Sequence, residues 1–307
     1  MYTRKEFLRR SGGALAGSAL LSNTLFASLL KQQTSHAVGL QLFTLFSTID
    51  DDVLGSLKKV AALGYTEIES AFSKKGGYYG MTPKAFAGTL KDMGMRWTSH
   101  HVIGAPFKLP PGTKLPAGAD GKPMTIPPMK NLRDNMQEMV DQAAEGGVEY
   151  LVCANTPIGT LDEIKQSVET LVKTGEACKK AGIGFAYHNH DAEFHAVEGK
   201  IPYELILSET PADTVKMELD LAWASKGGKD PVDLFNQHPG RFPQWHVKDL
   251  DASMQNIMPV GSGVIDYKRI FANAALAGMK HFYVEHDFPK DAYESMTKSI
   301  DYIKNKL

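Results

Sequence analysis

Four short stretches of this chain crowd ionisable side chains together. They are YHNHD (187–191), MELDLAW (217–223), WHVKDL (245–250) and YVEHDF (283–288). In an extended strand, alternation puts His188 with His190, Glu218 with Asp220, His246 with Lys248, and Glu285 with Asp287 on one face each. Imidazoles and carboxylates in such sets do two kinds of chemistry. They hold a divalent cation, and they accept or donate protons near neutral pH. A capped strand end or a surface ion pair would use the same residue types. What separates the possibilities is whether the four stretches meet.

Each stretch closes an apolar run, and a repeated pattern along the chain shows how such runs are arranged. An amphipathic helical segment ends in glycine and an apolar strand follows at once, as in KKVAALGYTEIES, QAAEGGVEYLVCAN and ALAGMKHFYVEHD. Gly64, Gly94, Gly147, Gly182 and Gly278 are the helix stops. The pattern predicts strands near 38–43, 65–70, 96–101, 148–154, 183–190, 215–220, 243–247 and 281–286, with helices between them. Eight alternations predict one (β/α)₈ TIM barrel over 38–307. A doubly wound sheet would need a Gly-rich phosphate loop after its first strand, and that strand reads VGLQLFTLFSTIDDD instead.

In a (β/α)₈ barrel the functional groups come from the carboxyl ends of the strands. Those ends carry Glu67 and Glu69 on the second strand, His100 and His101 on the third, and the four stretches on the fifth to eighth. A carboxylate at the tail of an apolar strand is costly to desolvate unless it is paired or bound to a cation. Several carboxylates and imidazoles converging on one mouth therefore point to a divalent metal.

The whole chain sets limits. Its 307 residues carry 34 basic and 35 acidic side chains, a net charge of −1, which gives no electrostatic reason to expect a nucleic-acid partner. Two cysteines, Cys153 and Cys178, make neither a disulfide framework nor a metal knuckle. Residues 3–30 read as a basic head and a small-residue apolar stretch, the shape of an export signal and too weakly apolar for a membrane anchor. TRKEFL resembles the twin-arginine signal, with Lys5 in place of the second arginine. The expected division is thus an export signal and linker over 1–37, a barrel over 38–307, and a periplasmic location. One connection is abnormal: 104–128 holds seven prolines and no periodicity. Lying after the third strand, it is a candidate lid.

VGLQLFT, LGYTEIE, FAYHNHDAEF, ELDLAW, WHVKDLD and FYVEHDF, in this order over 38–305, resemble the xylose-isomerase-like barrel superfamily, often labelled sugar phosphate isomerase/epimerase; YHNHDxEF points to a subfamily. The resemblance implies a metal-dependent isomerase or epimerase that removes a proton next to the carbonyl of a keto-sugar. It implies one divalent ion, manganese first, with zinc, cobalt or magnesium as alternatives. Carried over by position, the ligands are Asp220, His246 and Glu285, and the fifth-strand glutamate of the family falls on His188. That departure leaves Glu285 as the carboxylate base, with His190, Lys248 or Glu69 to supply the second proton relay. It also keeps open a lyase or hydratase acting on 3-keto-glycosides, and a sugar-binding barrel without catalysis. Gln41, Glu69 and His101 are expected to bind sugar hydroxyls, and Tyr187 and Trp223 to stack on a pyranose ring. The endonucleases of this fold need a histidine three residues after the sixth-strand aspartate, where this chain has Trp223. The expected partner is a small sugar or keto-glycoside; oligomeric state stays open.

Overall fold

A computed structural model describes residues 37–106 and 129–307. The expected export signal and nearly all of the proline-rich connection lie outside the described residues. Among the described residues ten strands occur in chain order: β1 (Gly39–Gln41), β2 (Glu67–Ser70), β3 (Arg96–Ile103), β4 (Tyr150–Asn155), β5 (Gly184–His188), β6 (Lys216–Asp220), β7 (Gln244–Val247), β8 (Asp249–Leu250), β9 (Ile257–Met258) and β10 (His281–Val284). Eight of them close a barrel in the order β1-β10-β7-β6-β5-β4-β3-β2. All its pairings are parallel, with helices in the connections, which makes the fold a TIM barrel.

Local chemistry accounts for the helix–strand alternation. The helix Leu161–Ala181 starts where the Thr160 hydroxyl accepts from Glu163 N–H, with Asp162 and Glu163 in its first turn. It ends with Lys179 and Lys180, and Gly182 takes φ 77°, a left-handed conformation that a side chain would strain. The strand β5 begins two residues later, at Gly184.

Alternation then sorts the side chains. Phe185, Tyr187, Met217, Leu219, Trp245, Val247, Phe282 and Val284 pack outward in the main apolar core between sheet and helices. The inward residues form layers. Near the amino ends lie Glu67 and His281; above them Tyr283 bonds Thr98 and Gln244. Glu69, His101, His188, Glu218 and His246 come next, and Asp220, Lys248 and Glu285 stand at the carboxyl ends. Tyr150, Val152 and Ala186 fill the β4–β5 side with a small apolar cluster.

Two elements differ from expectation. β5 stops at His188, because the next residues turn away from the sheet. His190 N–H is taken by Glu193 Oε2 at 3.0 Å, and Asn189 Oδ1 accepts from Asp220 N–H at 3.1 Å. His190 is therefore a loop residue. The antiparallel pair β8–β9 is an addition after β7, pinned by Asp249. Its carboxylate accepts N–H bonds from Leu250, Gly261, Gly263 and Ile265 at 2.9–3.1 Å. A Cβ on Gly263 would lie 2.1 Å from Leu250 O, so VGSGV needs glycine there for close approach.

Candidate metal and catalytic centre

Four carboxylates, Glu69, Glu218, Asp220 and Glu285, converge inside the carboxyl half of the barrel, each at most 5% exposed. His188, His246 and Lys248 among them are equally buried, and His101 is partly so. Their placement follows from register: β6 pairs Asp220 with His246, and β5 pairs His188 with Glu218. Side chains from β2, β3, β5, β6 and β7, and from the residues directly following β7 and β10, thus reach one centre.

His246 is the hub. Its Nδ1 lies 2.7 Å from Glu285 Oε2 and its Nε2 2.5 Å from Glu69 Oε1. Two sets of possible ligands share it: Asp220, His246 and Glu285 at the mouth, and His101, His188, Glu218 and His246 one layer deeper. Lys248 Nζ stands between the mouth carboxylates, 2.9 Å from Asp220 Oδ2, 2.6 Å from Glu285 Oε2 and 2.7 Å from Asp287 Oδ2.

Electrostatics divides the groups. Burial, and then the Glu218 carboxylate, push Glu69 up to about 7, against the pull of His101 and His246. Burial likewise raises Glu218 and Asp220. Burial opposes ionisation of Glu285 too, but Lys248 and His246 outweigh it and hold its carboxyl well below the usual range. Burial lowers His101 to about 4 and holds His188 well below its ordinary value. For His246 and Lys248 burial is outweighed by surrounding carboxylates, and both are raised. Among the described residues, one buried lysine faces four buried carboxylates, an excess of acidic groups that protons, such as one on His246, or a divalent cation would balance. The donors present fit such a cation: three imidazoles and several carboxylate oxygens, with His188 Nδ1 and Glu218 Oε1 buried and lacking hydrogen-bond partners among the described residues.

The remaining expected residues divide clearly. Gln41 is fully buried, donating to Glu69 Oε1 at 2.8 Å and accepting from Phe43 N–H, so it positions Glu69. Ser99 Oγ holds the other Glu69 oxygen at 2.5 Å. His190 stands in the mouth with its side chain 41% exposed, its ring 5.0 Å from that of His188 and 6.0 Å from Trp223. Trp223 also lies there, with Lys226 and Lys248 over its ring at 4.6 and 5.3 Å. Tyr187 does not reach the mouth. It points outward from β5, fully buried, and its hydroxyl donates to Glu193 Oε1 at 2.8 Å. The stacking role expected for it is corrected: the opposite parity to His188 puts its ring in the apolar core. Glu218 was visible as a strand-end residue of the same parity as Asp220, but no sequence signal singled it out as a ligand.

The fold and this centre define a parallel (β/α)₈ barrel with a buried histidine–carboxylate cluster at its carboxyl end. The family profile of xylose isomerase-like TIM barrels matches residues 57–306, and the chain belongs to that family. A solved sugar phosphate isomerase/epimerase from Parabacteroides distasonis ATCC 8503 is 28% identical with a TM-score of 0.70, over 89% of this chain and 96% of that one. A probable 3-DHS dehydratase from Bacillus anthracis shares the fold at 13% identity and a TM-score of 0.64, over 88% and 99% of the two chains. The inosose dehydratase of Geobacillus thermodenitrificans (strain NG80-2) is 22% identical over 157 residues, 46% of this chain and 52% of that protein. The match thus spans about half the length of that curated relative. Among the described residues, no helix is long and apolar enough to cross a membrane.

Proposed function

We propose that this protein is a divalent-metal-dependent sugar isomerase or epimerase that moves a proton on the carbon next to a carbonyl. The observation that carries this is the excess of buried carboxylates around His246 at the end where barrel enzymes hold their substrates. The ion would be held at His246 by one of the donor sets that share it. When bound, it would polarise the substrate carbonyl and stabilise the enediolate.

The chain's own residues supply the rest. His190, half exposed at the mouth, is placed to take or return a proton from the substrate's open side. Glu285 is kept ionised by Lys248 and His246, and so is a weak base at rest. A substrate oxygen that drew the Lys248 ammonium towards itself would free Glu285 and strengthen it as an acceptor. Trp223 flanks the entrance, and its indole offers a face to sugar C–H groups. The two lysines beside it are both paired, Lys248 as above and Lys226 with Asp191 at 3.1 Å, which favours a neutral sugar over a phosphorylated one. The basic, small-residue stretch 3–30 supports a periplasmic place of work.

A second reading is elimination: a lyase or dehydratase acting on keto-sugars or 3-keto-glycosides. It is supported by the likeness to the inosose dehydratase, and by His188, which puts an imidazole where the resemblance expects a second carboxylate base. Incubation with free ketoses and 3-keto-glucosides in deuterated water, followed by NMR, tests both. Deuterium at a sugar carbon without cleavage identifies isomerisation or epimerisation. Release of water or aglycone identifies elimination. Absence of both exchange and elimination with all of these substrates would overturn the proposal.

A further inference from the structure

Resting on the metal-dependent reading above, we propose that the ion is held by His101, His188, Glu218 and His246, one layer below the mouth. Asp220 and Glu285 then have Lys248 between them in place of a metal. This moves the ion off the ligand set that the sequence resemblance implied and makes His101 and Glu218 ligands.

Glu218 Oε2 is the common point of the deeper set. It lies 2.6 Å from His101 Nε2, 3.2 Å from His188 Nδ1 and 3.2 Å from His246 Nε2. All four donor atoms fall within 4.8 Å of one another. Two atoms here are buried without a hydrogen-bond partner among the described residues, His188 Nδ1 and Glu218 Oε1. The 3.2 Å approach of His188 Nδ1 to Glu218 is misaligned for a hydrogen bond. A buried imidazole nitrogen that neither donates nor accepts is costly, and a cation at the centre of the set would use its lone pair.

The mouth set lacks that need. Asp220 Oδ2 also has no aligned hydrogen bond among the described residues, but the Lys248 ammonium is 2.9 Å away and supplies the charge. The same ammonium touches Glu285. A dication on these two carboxylates would have to displace a buried ammonium or sit beside it, and like charges at such distances repel strongly in a dry site. His246 does not itself choose between the sets. It has Glu285 at Nδ1 and Glu69 at Nε2, so either nitrogen can carry the proton while the other faces the ion. With the ion in the deeper set, Glu285 accepts from Nδ1–H and orients the ring, the usual carboxylate–histidine–metal arrangement. Glu69 Oε1, 3.3 Å from His101 Nε2, is near enough to add a further oxygen.

The donor chemistry has a consequence. Three imidazoles and one carboxylate favour zinc, cobalt or ferrous iron over manganese or magnesium, which prefer oxygen-rich sets.

The test uses the full purified chain, stripped with a chelator and titrated with zinc and with manganese by calorimetry. Near-UV circular dichroism establishes which variants are folded. Zinc is expected to bind at least 10-fold more tightly than manganese. Glu218→Gln and His101→Ala are expected to weaken zinc binding at least 100-fold. Asp220→Asn, which keeps a side-chain oxygen to accept from Trp223 N–H, is expected to stay within about 10-fold of the wild type. X-ray absorption of zinc-loaded protein should show imidazole scattering that falls by one ring in His101→Ala. If that variant does not fold, three rings in the wild type are expected, and fewer overturn the inference. Loss of zinc on Asp220→Asn with retention on Glu218→Gln would overturn this assignment and leave metal dependence standing. Failure of the wild type to bind either metal would overturn both.

Discussion

The Lys248 ammonium lies 2.6 Å from Glu285 Oε2, and both side chains are at most 5% exposed. A buried pair in such contact is coupled in both directions. The lysine holds Glu285 ionised, and Asp220, Asp287 and Glu285 keep the lysine charged against burial. Removing one partner strands charge that water cannot reach.

Lys248→Met should therefore be strongly destabilising in chelator-treated protein. The expected loss is about 3–5 kcal/mol, the usual cost of breaking a buried ion pair from one side. Urea unfolding at pH 7 reads it directly. A change below about 1 kcal/mol would mean that Asp220 and Glu285 are already protonated or otherwise compensated.

Tyr187 and Trp223 should separate structure from binding. Tyr187→Phe removes a buried hydrogen bond to Glu193 and is expected to cost about 1–3 kcal/mol of stability with KM unchanged within 2-fold. Trp223→Ala opens the mouth and should raise KM several-fold with little change in folding. Steady-state kinetics and thermal melts on the two variants check this. A raised KM in Tyr187→Phe would contradict its placement in the core.

At the opposite end of the barrel, His281 bridges Glu67 at 2.8 Å and Glu149 at 3.0 Å. Burial opposes its charge, but the two carboxylates outweigh it and raise its pKa. A histidine with a raised folded pKa stabilises fully below its unfolded value near 6.5, and that contribution fades as pH rises through the folded value. The stability lost on His281→Gln should therefore be larger at pH 6 than at pH 9. Urea midpoints across that range measure it; an equal or growing deficit at high pH would refute a charged His281.

Much of this could be read from residue order. Gly64, Gly94, Gly147, Gly182 and Gly278 all adopt positive φ, as expected of glycines that stop helices before strands. Parity along apolar strands was enough to put Glu218 with Asp220, and Glu285 opposite the outward-facing Val284. It failed where the strand stopped. His190 follows the end of β5, and its position depends on a backbone bond to Glu193 that no local pattern announces. The partners of Lys248 were also hidden. Asp249 is adjacent in sequence but is consumed by the backbone N–H groups of the 261–265 turn, while Asp220, Glu285 and Asp287 arrive through the barrel's closure. Such pairings are set by the stagger of strands, which spacing within one strand does not encode.

A divalent ion bound by the cluster around His246 would acidify a sugar C–H next to a carbonyl. The rate at which that hydrogen exchanges with deuterated water can be followed by NMR in metal-loaded, chelated and Glu285→Gln protein. Exchange is expected with the loaded protein, to fall at least 100-fold on chelation, to return on adding metal, and to fall at least as far in a folded Glu285→Gln. Exchange at the same rate in the chelated protein, or in Glu285→Gln, would contradict it.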